Sequence, residues 1–561
     1  MSRAPIGFEA IGLAVSPYDL LQRQAQLWPD HALLVLPEAV RQLWGLDRLV
    51  WTYREVRTEV DHLAAGYASA GYGVGHRVAL LFENRPQHFL HWFALNSLGV
   101  SIVPLNPDYR ADELRYALTH SAACLIVTVP TCLARLETVA AEMGIPVWLD
   151  GPVPPAPTPK RPAEGPVDAL ECVLAYTSGT TGKPKGCILS NRYFLTWGEW
   201  YVAQEGHIRL RPCAERLITP LPTFHVNAMG NSFFGMLASG GAQVIVDRFH
   251  PRSWLDMARE TGATCFHYLG VMPAILMALP ERADDASHGL RFGLGGGVHP
   301  DHHTRFEARF GVPLLEGWAM TEAGGAALLC AAEEPRHIGA RCLGRPDRPG
   351  PALDWRIVDD AGKEVPPGTA GEFLVRAKGS DPRRGFFSGY LNDPDATAEI
   401  WAEGWMHTGD IMTEGPDGQL HFAERKKDLI RRSGENISGA EVEAVLLSHP
   451  EVGQISVVPC ADPLREEEVV AVVVTKEAGA DRARLAQSLF DHAARQLAYY
   501  KLPGHMVFLD ELPVTSTGKL AKGLIRGLVN DPNAAQPRFD FRDQKQAQRT
   551  MGRDGHKGSA N

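Results

Sequence analysis

The chain predicts an α/β fold in two unequal parts. A large N-terminal part layers helices on parallel strands and carries a small β-rich subdomain. A small α+β domain follows it. Three observations carry this reading. Helix-like and strand-like segments alternate to about residue 340, the pattern of βαβ units around a parallel sheet. From Asp354 shorter strands punctuated by turns replace them. From Lys427 the order becomes short strands with two helices. The 561 residues also exceed what one hydrophobic core organises.

Taken in order, residues 78–82 (Val-Ala-Leu-Leu-Phe) form a short apolar run and predict a strand. Residues 88–98 place Phe89, Trp92, Phe93 and Leu95 at helical spacing. Residues 101–105 read as a strand, 111–119 as a helix and 124–128 as a strand. The proline-rich stretch 152–166 reads as a surface connector. Residues 172–176 form a buried strand that feeds a polar loop. Strands follow at 242–246 and 265–269, and a strand end at 294–298 opens into a glycine turn. Residues 355–358, 371–376 and 418–422 supply the β-rich part. Ser438 is placed to cap a helix over 438–448. The expected divisions are 1–426, with the β-rich subdomain at about 340–426, then 427–530. Residues 531–561 lack apolar periodicity and are expected to form a disordered tail.

Composition narrows the function. A net charge of -10 argues against a nucleic-acid binder. The longest aliphatic run, 469–474, is far too short to span a membrane. Glu9 interrupts the only candidate export signal, and the nine scattered cysteines fit free thiols, so a cytoplasmic location is expected. No His/Cys group has zinc-ligand spacing.

Residues 176–186, Tyr-Thr-Ser-Gly-Thr-Thr-Gly-Lys-Pro-Lys-Gly, organise the chain. Gly179, Gly182 and Gly186 let the backbone turn its N–H groups toward a phosphate. Thr177, Ser178, Thr180 and Thr181 add hydroxyl donors, and Lys183 and Lys185 add charge. The competing reading is a solvated turn. A Walker loop is excluded by spacing: Thr177 stands at the first glycine position and Pro184 at the final hydroxyl.

Five further stretches matter in combination: 221–225 (Leu-Pro-Thr-Phe-His), 317–322 (Gly-Trp-Ala-Met-Thr-Glu), 405–410 (Trp-Met-His-Thr-Gly-Asp), 425–430 (Arg-Lys-Lys-Asp-Leu-Ile) and 513–519 (Pro-Val-Thr-Ser-Thr-Gly-Lys). With the loop, their order resembles the adenylate-forming superfamily of acyl- and aryl-CoA ligases, adenylation domains and luciferases. The resemblance runs from about Leu33 to about Leu528. It implies a mobile C-terminal domain and a two-step reaction. A carboxylate attacks the α-phosphate of ATP, giving an acyl-adenylate and pyrophosphate; a thiol then displaces AMP.

The resemblance also implies roles. Thr177, Ser178, Gly179, Thr180, Thr181, Gly182 and Lys185 would hold the β- and γ-phosphates. Thr321 would bond the α-phosphate and Glu322 would bind Mg²⁺. Gly295, Gly296 and Gly297 would let adenine approach the backbone, with Trp318, where the family usually has Tyr, stacked beside it. Asp410 and Arg425 would take the ribose. Lys519 would bridge the carboxylate and the α-phosphate. Lys427 would be the hinge, and Gly434 would pass the pantetheine arm of CoA. The acid pocket would be lined by His225, Asn227, Met229, Tyr268, Gly270, Gly295 and Trp318, with His225 also counted among the catalytic residues as a gate at its mouth near the carboxylate.

A stand-alone chain of this length implies free CoA as acceptor. Loading of a carrier protein is the alternative, and a non-catalytic acyl or nucleotide binder on the same fold is the rival from another class. A small or medium polar or aromatic acid is expected. Residues 432–437 and 224–227 resemble the carnitine/crotonobetaine-CoA ligase type. A monomer or homodimer is expected, without stable membrane insertion.

Overall fold

The structure is a computed structural model and describes residues 8–159, 165–177, 184–347, 349–426, 429–432, 435–462, 465–477, 479–497, 499–514, 520–531 and 536–554. Apolar runs explain the first two sheets. Arg77–Leu81, Ser101–Leu105 and Leu125–Thr128 are buried along their whole length, as strands covered on both faces must be. They pair in parallel within a seven-stranded sheet. Glu171–Thr177 joins that sheet in parallel beside Ser101–Leu105. Lys185–Ser190 and Gly389–Tyr390 extend it antiparallel.

An eight-stranded sheet holds Arg216–Thr219, Ala242–Ile245, Cys265–Leu269, Phe292–Gly296 and Leu314–Trp318 in parallel. Aromatic rings weld the helices of this region together. Phe89, from Pro86–Ser97, stacks on Phe233 at 4.1 Å, and Trp92 meets Phe194 edge-on at 4.9 Å. Aromatic pairs in these arrangements add about 1 kcal/mol beyond their area burial.

The β-rich part is a four-stranded antiparallel sheet of Leu353–Val358, Gly371–Ala377, Met406–Glu414 and Leu420–Arg425. The C-terminal part has its own apolar core, in which Ile430, Val442, Val469, Leu489, Met506 and Phe541 are buried. Its sheet runs Glu435–Ile437, Ile430–Arg432, Glu466–Thr475, His505–Phe508, Arg538–Asp540, with Val452–Asp462 also paired to Glu466–Thr475. Ser438 caps the helix Gly439–Leu447 by accepting from Glu441 N at 3.2 Å.

One expectation is corrected. Residues beyond 531 are not a loose tail where the structure describes them. Arg538–Asp540 pairs antiparallel with His505–Phe508, and Arg542–Asp554 is a helix. Phe541 stacks on Phe490 at 4.9 Å and Phe539 meets Phe508 edge-on at 5.6 Å. A strand added to a sheet edge is held by backbone hydrogen bonds, so two aromatic anchors suffice without an apolar run.

Candidate functional site

The site is built at the carboxyl ends of parallel strands, where open α/β sheets place ligands. Tyr268 is in register with Gly295, and Gly295 with Glu316. Gly270, Gly297 and the turn after Trp318 therefore leave the sheet side by side. Arg216–Thr219 runs parallel to Cys265–Leu269, so the segment with His225 and Asn227 leaves at the same edge. The Thr321–Glu322 turn leads into a short 3₁₀ helix, Gly324–Ala327, rather than an α-helix.

The strands on either side of the polar loop pair antiparallel, with Thr177 opposite Lys185. This is the physical reason the Walker spacing fails. A Walker loop runs from strand into helix, whereas the described residue range after this loop continues as the strand Lys185–Ser190. Tyr116 pins its base by donating to Pro184 O at 2.8 Å.

Glu322 joins the two large sheets. The residue is only 8% exposed. Its Oε1 accepts from the Tyr390 hydroxyl at 2.7 Å, and the Cys187 thiol lies 3.8 Å away. Its backbone O accepts from Phe387 N, and Tyr193 donates to Thr321 O at 2.7 Å. Lys185 Nζ sits 4.8 Å over the Tyr390 ring and 3.8 Å from Asp393 Oδ2. Burial and the Glu322 charge push the Tyr390 phenol well up, so it remains a donor. Thr177, Lys185, Thr321 and Glu322 thus meet around Tyr390 and Cys187. The sequence reading missed both of these residues, since no local signal ties an aromatic residue at 390 to an acid at 322.

Trp318 reaches the third sheet. Its indole N–H donates to Asp410 Oδ2 at 2.7 Å, and its ring meets Phe373 edge-on at 5.3 Å. Asp410 is buried and lies opposite Arg425 in the strand register, with Arg425 Nε 3.5 Å from its other oxygen. Arg425 itself is exposed. Trp318, Asp410 and Arg425 therefore form one chain of contacts across 92 positions of sequence between indole and carboxylate.

The expected acid-pocket lining separates into two groups. Met229 and Tyr268 are fully buried, and Tyr268 donates its hydroxyl to Leu315 O at 3.2 Å. Both side chains lie in the core, Met229 in the helical segment Asn227–Ser232 and Tyr268 on the strand Cys265–Leu269. Gly270 and Gly295 serve packing. A Cβ on Gly270 would lie 1.8 Å from Gly297 O, and one on Gly295 2.3 Å from Tyr268 O. Gly296 is half-buried, and Gly297 takes φ +81 with open space at its Cβ position, so only this glycine is free for close approach.

His225 and Asn227 remain partly accessible. Asn227 opens a π-helix, Asn227–Ser232, a distortion that often marks functional sites. Beneath it His267 is buried, and burial lowers its pKa to about 3, so the imidazole is neutral. Ser232 Oγ donates to Asn227 O at 3.2 Å and lies 2.7 Å from His267 Nδ1; Tyr201 OH lies 2.9 Å from Nε2. The proton pattern satisfying these groups puts the hydrogen on Nδ1, which then also reaches Asn227 Oδ1 at 3.3 Å. That bond turns the amide so that its N–H₂ points away from His267.

Ser178, Gly179, Thr180, Thr181, Gly182, Lys427, Gly434 and Lys519 lie outside the described residues.

The comparisons follow this geometry. A family model described as AMP-binding enzyme matches residues 21–391, and one described as AMP-binding enzyme C-terminal domain matches 441–519. The chain is 32% identical over 518 residues to a sulfoacetate–CoA ligase of Cupriavidus necator, covering 90% of this chain and 96% of that protein. It is 34% identical over 507 residues to a feruloyl-CoA synthase of Amycolatopsis sp, covering 89% and 98%. Its fold is that of ATP-bound MatB from Rhodopseudomonas palustris, with TM-score 0.77, 24% identity and coverage of 92% and 99%. The chain belongs to the AMP-binding enzyme family, the adenylate-forming enzymes, and carries both the large domain and the C-terminal domain of that family.

Proposed function

We propose that this ATP-dependent acid–CoA ligase activates a small or medium polar or aromatic carboxylate, using the residues gathered at the meeting of its three N-terminal sheets. The observation that carries the assignment of roles is the convergence on Trp318–Glu322. The strand pair with Lys185 reaches Glu322 through Tyr390, and Asp410 with Arg425 reaches Trp318. A triphosphate, its ribose and an acid need those three neighbours at once.

In the first half-reaction a carboxylate oxygen of the acid attacks the α-phosphorus. The bond to the bridging oxygen breaks and pyrophosphate departs. Thr177, Ser178, Gly179, Thr180, Thr181, Gly182 and Lys185 hold the β- and γ-phosphates as negative charge builds there. Thr321 bonds an α-phosphate oxygen. Lys519 bridges that phosphate and the attacking carboxylate, offsetting repulsion between two anions. Asp410 accepts ribose hydroxyls, with Trp318 and Arg425 holding its oxygens. In the second half-reaction the CoA sulfur attacks the acyl carbon and AMP leaves with the electron pair. A swing about Lys427 brings Gly434 beside the pantetheine arm.

Mg²⁺ fits this site only together with the nucleotide. Among the described residues no group of three or more His, Cys, Asp or Glu could cage a metal. A single buried carboxylate, Glu322, beside phosphate oxygens is the donor set Mg²⁺ takes. When bound it supplies positive charge to the phosphates.

For the acid, the fixed amide of Asn227 supports a substrate with an acceptor group, and Gly297 gives access along the backbone. Trp318, bulkier than Tyr, shortens the cavity. Relatives acting on sulfoacetate and feruloyl substrates sit within this class. The test is a carboxylate panel assayed for AMP and pyrophosphate release, with thioester detected by mass. Turnover of polar or aromatic acids with AMP release is expected. Preference for long-chain fatty acids would overturn the substrate class, and ADP with phosphate would overturn the chemistry.

A further inference from the structure

The C-terminal segment beyond the family-model matches docks through a buried charge cluster. Lys545, on the helix Arg542–Asp554, has a side chain with no exposed surface, as does Glu468; that of Arg432 is 3% exposed. Lys545 Nζ donates to Glu468 Oε1 at 2.6 Å, and Arg432 Nε reaches both Glu468 oxygens at 2.8 and 3.0 Å. Val469 N adds a donor at 2.8 Å. Gly504 is shaped to the cluster: a Cβ there would lie 2.4 Å from the Glu468 carboxyl carbon, and its own O accepts from Phe541 N at 2.8 Å. Burial lowers the Lys545 ammonium to about 8 against the pull of Glu468, so this charge is held desolvated.

Three positive or negative groups taken out of water together are costly unless each is bonded, and such clusters specify geometry more than they add stability. Here the geometry specified is that of Arg432. It is the last residue of the strand Ile430–Arg432 and is in register with Glu435 of the strand Glu435–Ile437. Ser433 and Gly434 stand between these two strands in the sequence. The tail helix therefore holds one of the two strands that flank the residue assigned above to the thiol step.

We propose that residues 536–554 are a positioning element for the thiol half-reaction, fixing the paired strands 430–432 and 435–437 through the buried Lys545–Glu468–Arg432 cluster. The proposal rests on the assignment of Gly434 to the pantetheine arm. Lys545 is a positioning residue and touches no substrate. Losing its charge leaves Glu468 with one charged donor fewer in a dry site, which loosens Arg432 and the strand that ends in it.

The test uses the full chain with Lys545→Met, Lys545→Arg and, as a control, Gly434→Leu. Adenylation is read by ATP–pyrophosphate exchange and the second step by single-turnover thioester formation from preformed acyl-adenylate over a range of CoA. Lys545→Met is expected to leave exchange within about twofold, raise the KM for CoA about tenfold and speed amide hydrogen exchange in 430–432 and 435–437, as loss of a charged hydrogen bond predicts. Lys545→Arg should restore CoA binding. Should Lys545→Met unfold, Lys545→Gln keeps a donor to Glu468 and is expected to show the same split in milder form. Equal loss of both half-reactions, or an unchanged KM for CoA with the tail helix exchanging freely, would overturn the proposal. A normal thiol step in Gly434→Leu would overturn the Gly434 assignment instead, whereas a block there with silent Lys545 variants refutes the tail's role alone.

Discussion

Tyr390 shows how one side chain can couple two functions. Its hydroxyl donates to Glu322 while its ring face carries the Lys185 ammonium. Both contacts hold their partners in place, so Tyr390 orders a carboxylate assigned to Mg²⁺ and an ammonium assigned to phosphate at the same time. Tyr390→Phe keeps the ring and removes only the bond to Glu322. We expect kcat/KM for adenylation to fall about tenfold or more, since a hydrogen bond to a charged group contributes about 1.5–3 kcal/mol. The loss should be largest at limiting Mg²⁺, measured by ATP–pyrophosphate exchange. A variant indistinguishable from wild type across the Mg²⁺ series would show the bond to be merely architectural.

At the scale of elements, charge pairs decide how helices sit on strands near the site. Glu307, on the helix Pro300–Phe310, takes Arg336 bidentately at 2.7 and 2.9 Å and accepts from Leu314 N at 2.9 Å, at the start of the strand that ends in Trp318. Burial raises the Glu307 carboxyl, but Arg336, His303 and the Leu314 N–H outweigh it and lower it from 4.5 to about 2. A depressed carboxyl contributes stability above its ordinary value and loses it as pH falls through the folded value. Glu307→Gln should therefore be less stable at pH 7 by about 2 kcal/mol. The gap in Tm should close as pH falls from 4.5 toward 2. A gap independent of pH would mean the carboxylate charge is not what pins the helix. The strand elements themselves were legible: residues 101–105 and 265–269 are strands at the predicted bounds, and Ser438 caps its helix. Apolar runs and caps are local signals, and here burial reinforced them. The full burial of Tyr268 was not legible, because period-two alternation names two faces without saying which one is the core.

For the whole molecule, the roles proposed for Lys519 and Gly434 in different steps call for two arrangements of the C-terminal domain. Lys519→Ala is expected to lower adenylation by at least about a thousandfold, the scale at which removing a charge-stabilising group from a reacting centre acts. Thioester formation from preformed acyl-adenylate should stay within about threefold, because that step would not use this ammonium. Equal loss in both half-reactions would remove the assigned role. The same paired assays separate this variant from those of the tail cluster, which should fail in the opposite step.

The amino-acid sequence alone determined the chemistry on offer: a loop of hydroxyls and lysines at 177–185, an acid after a hydroxyl at 321–322, an aspartate at 410 and a lysine at 519. These are short-range patterns, and short-range patterns specify what a segment can bind. Only the tertiary structure decided which of them meet. Trp318 finds Asp410 because its ring packs against Phe373 of the four-stranded sheet, and Tyr390 finds Glu322 because a two-residue strand pairs with Lys185–Ser190. The tail was invisible for the same reason. Its polar composition hides a strand held by backbone bonds, two phenylalanines and one buried lysine, whose partners Glu468 and Arg432 lie far up the chain. Local sequence carries no information about which distant surface will bury it, and burial is what turns those residues into structure.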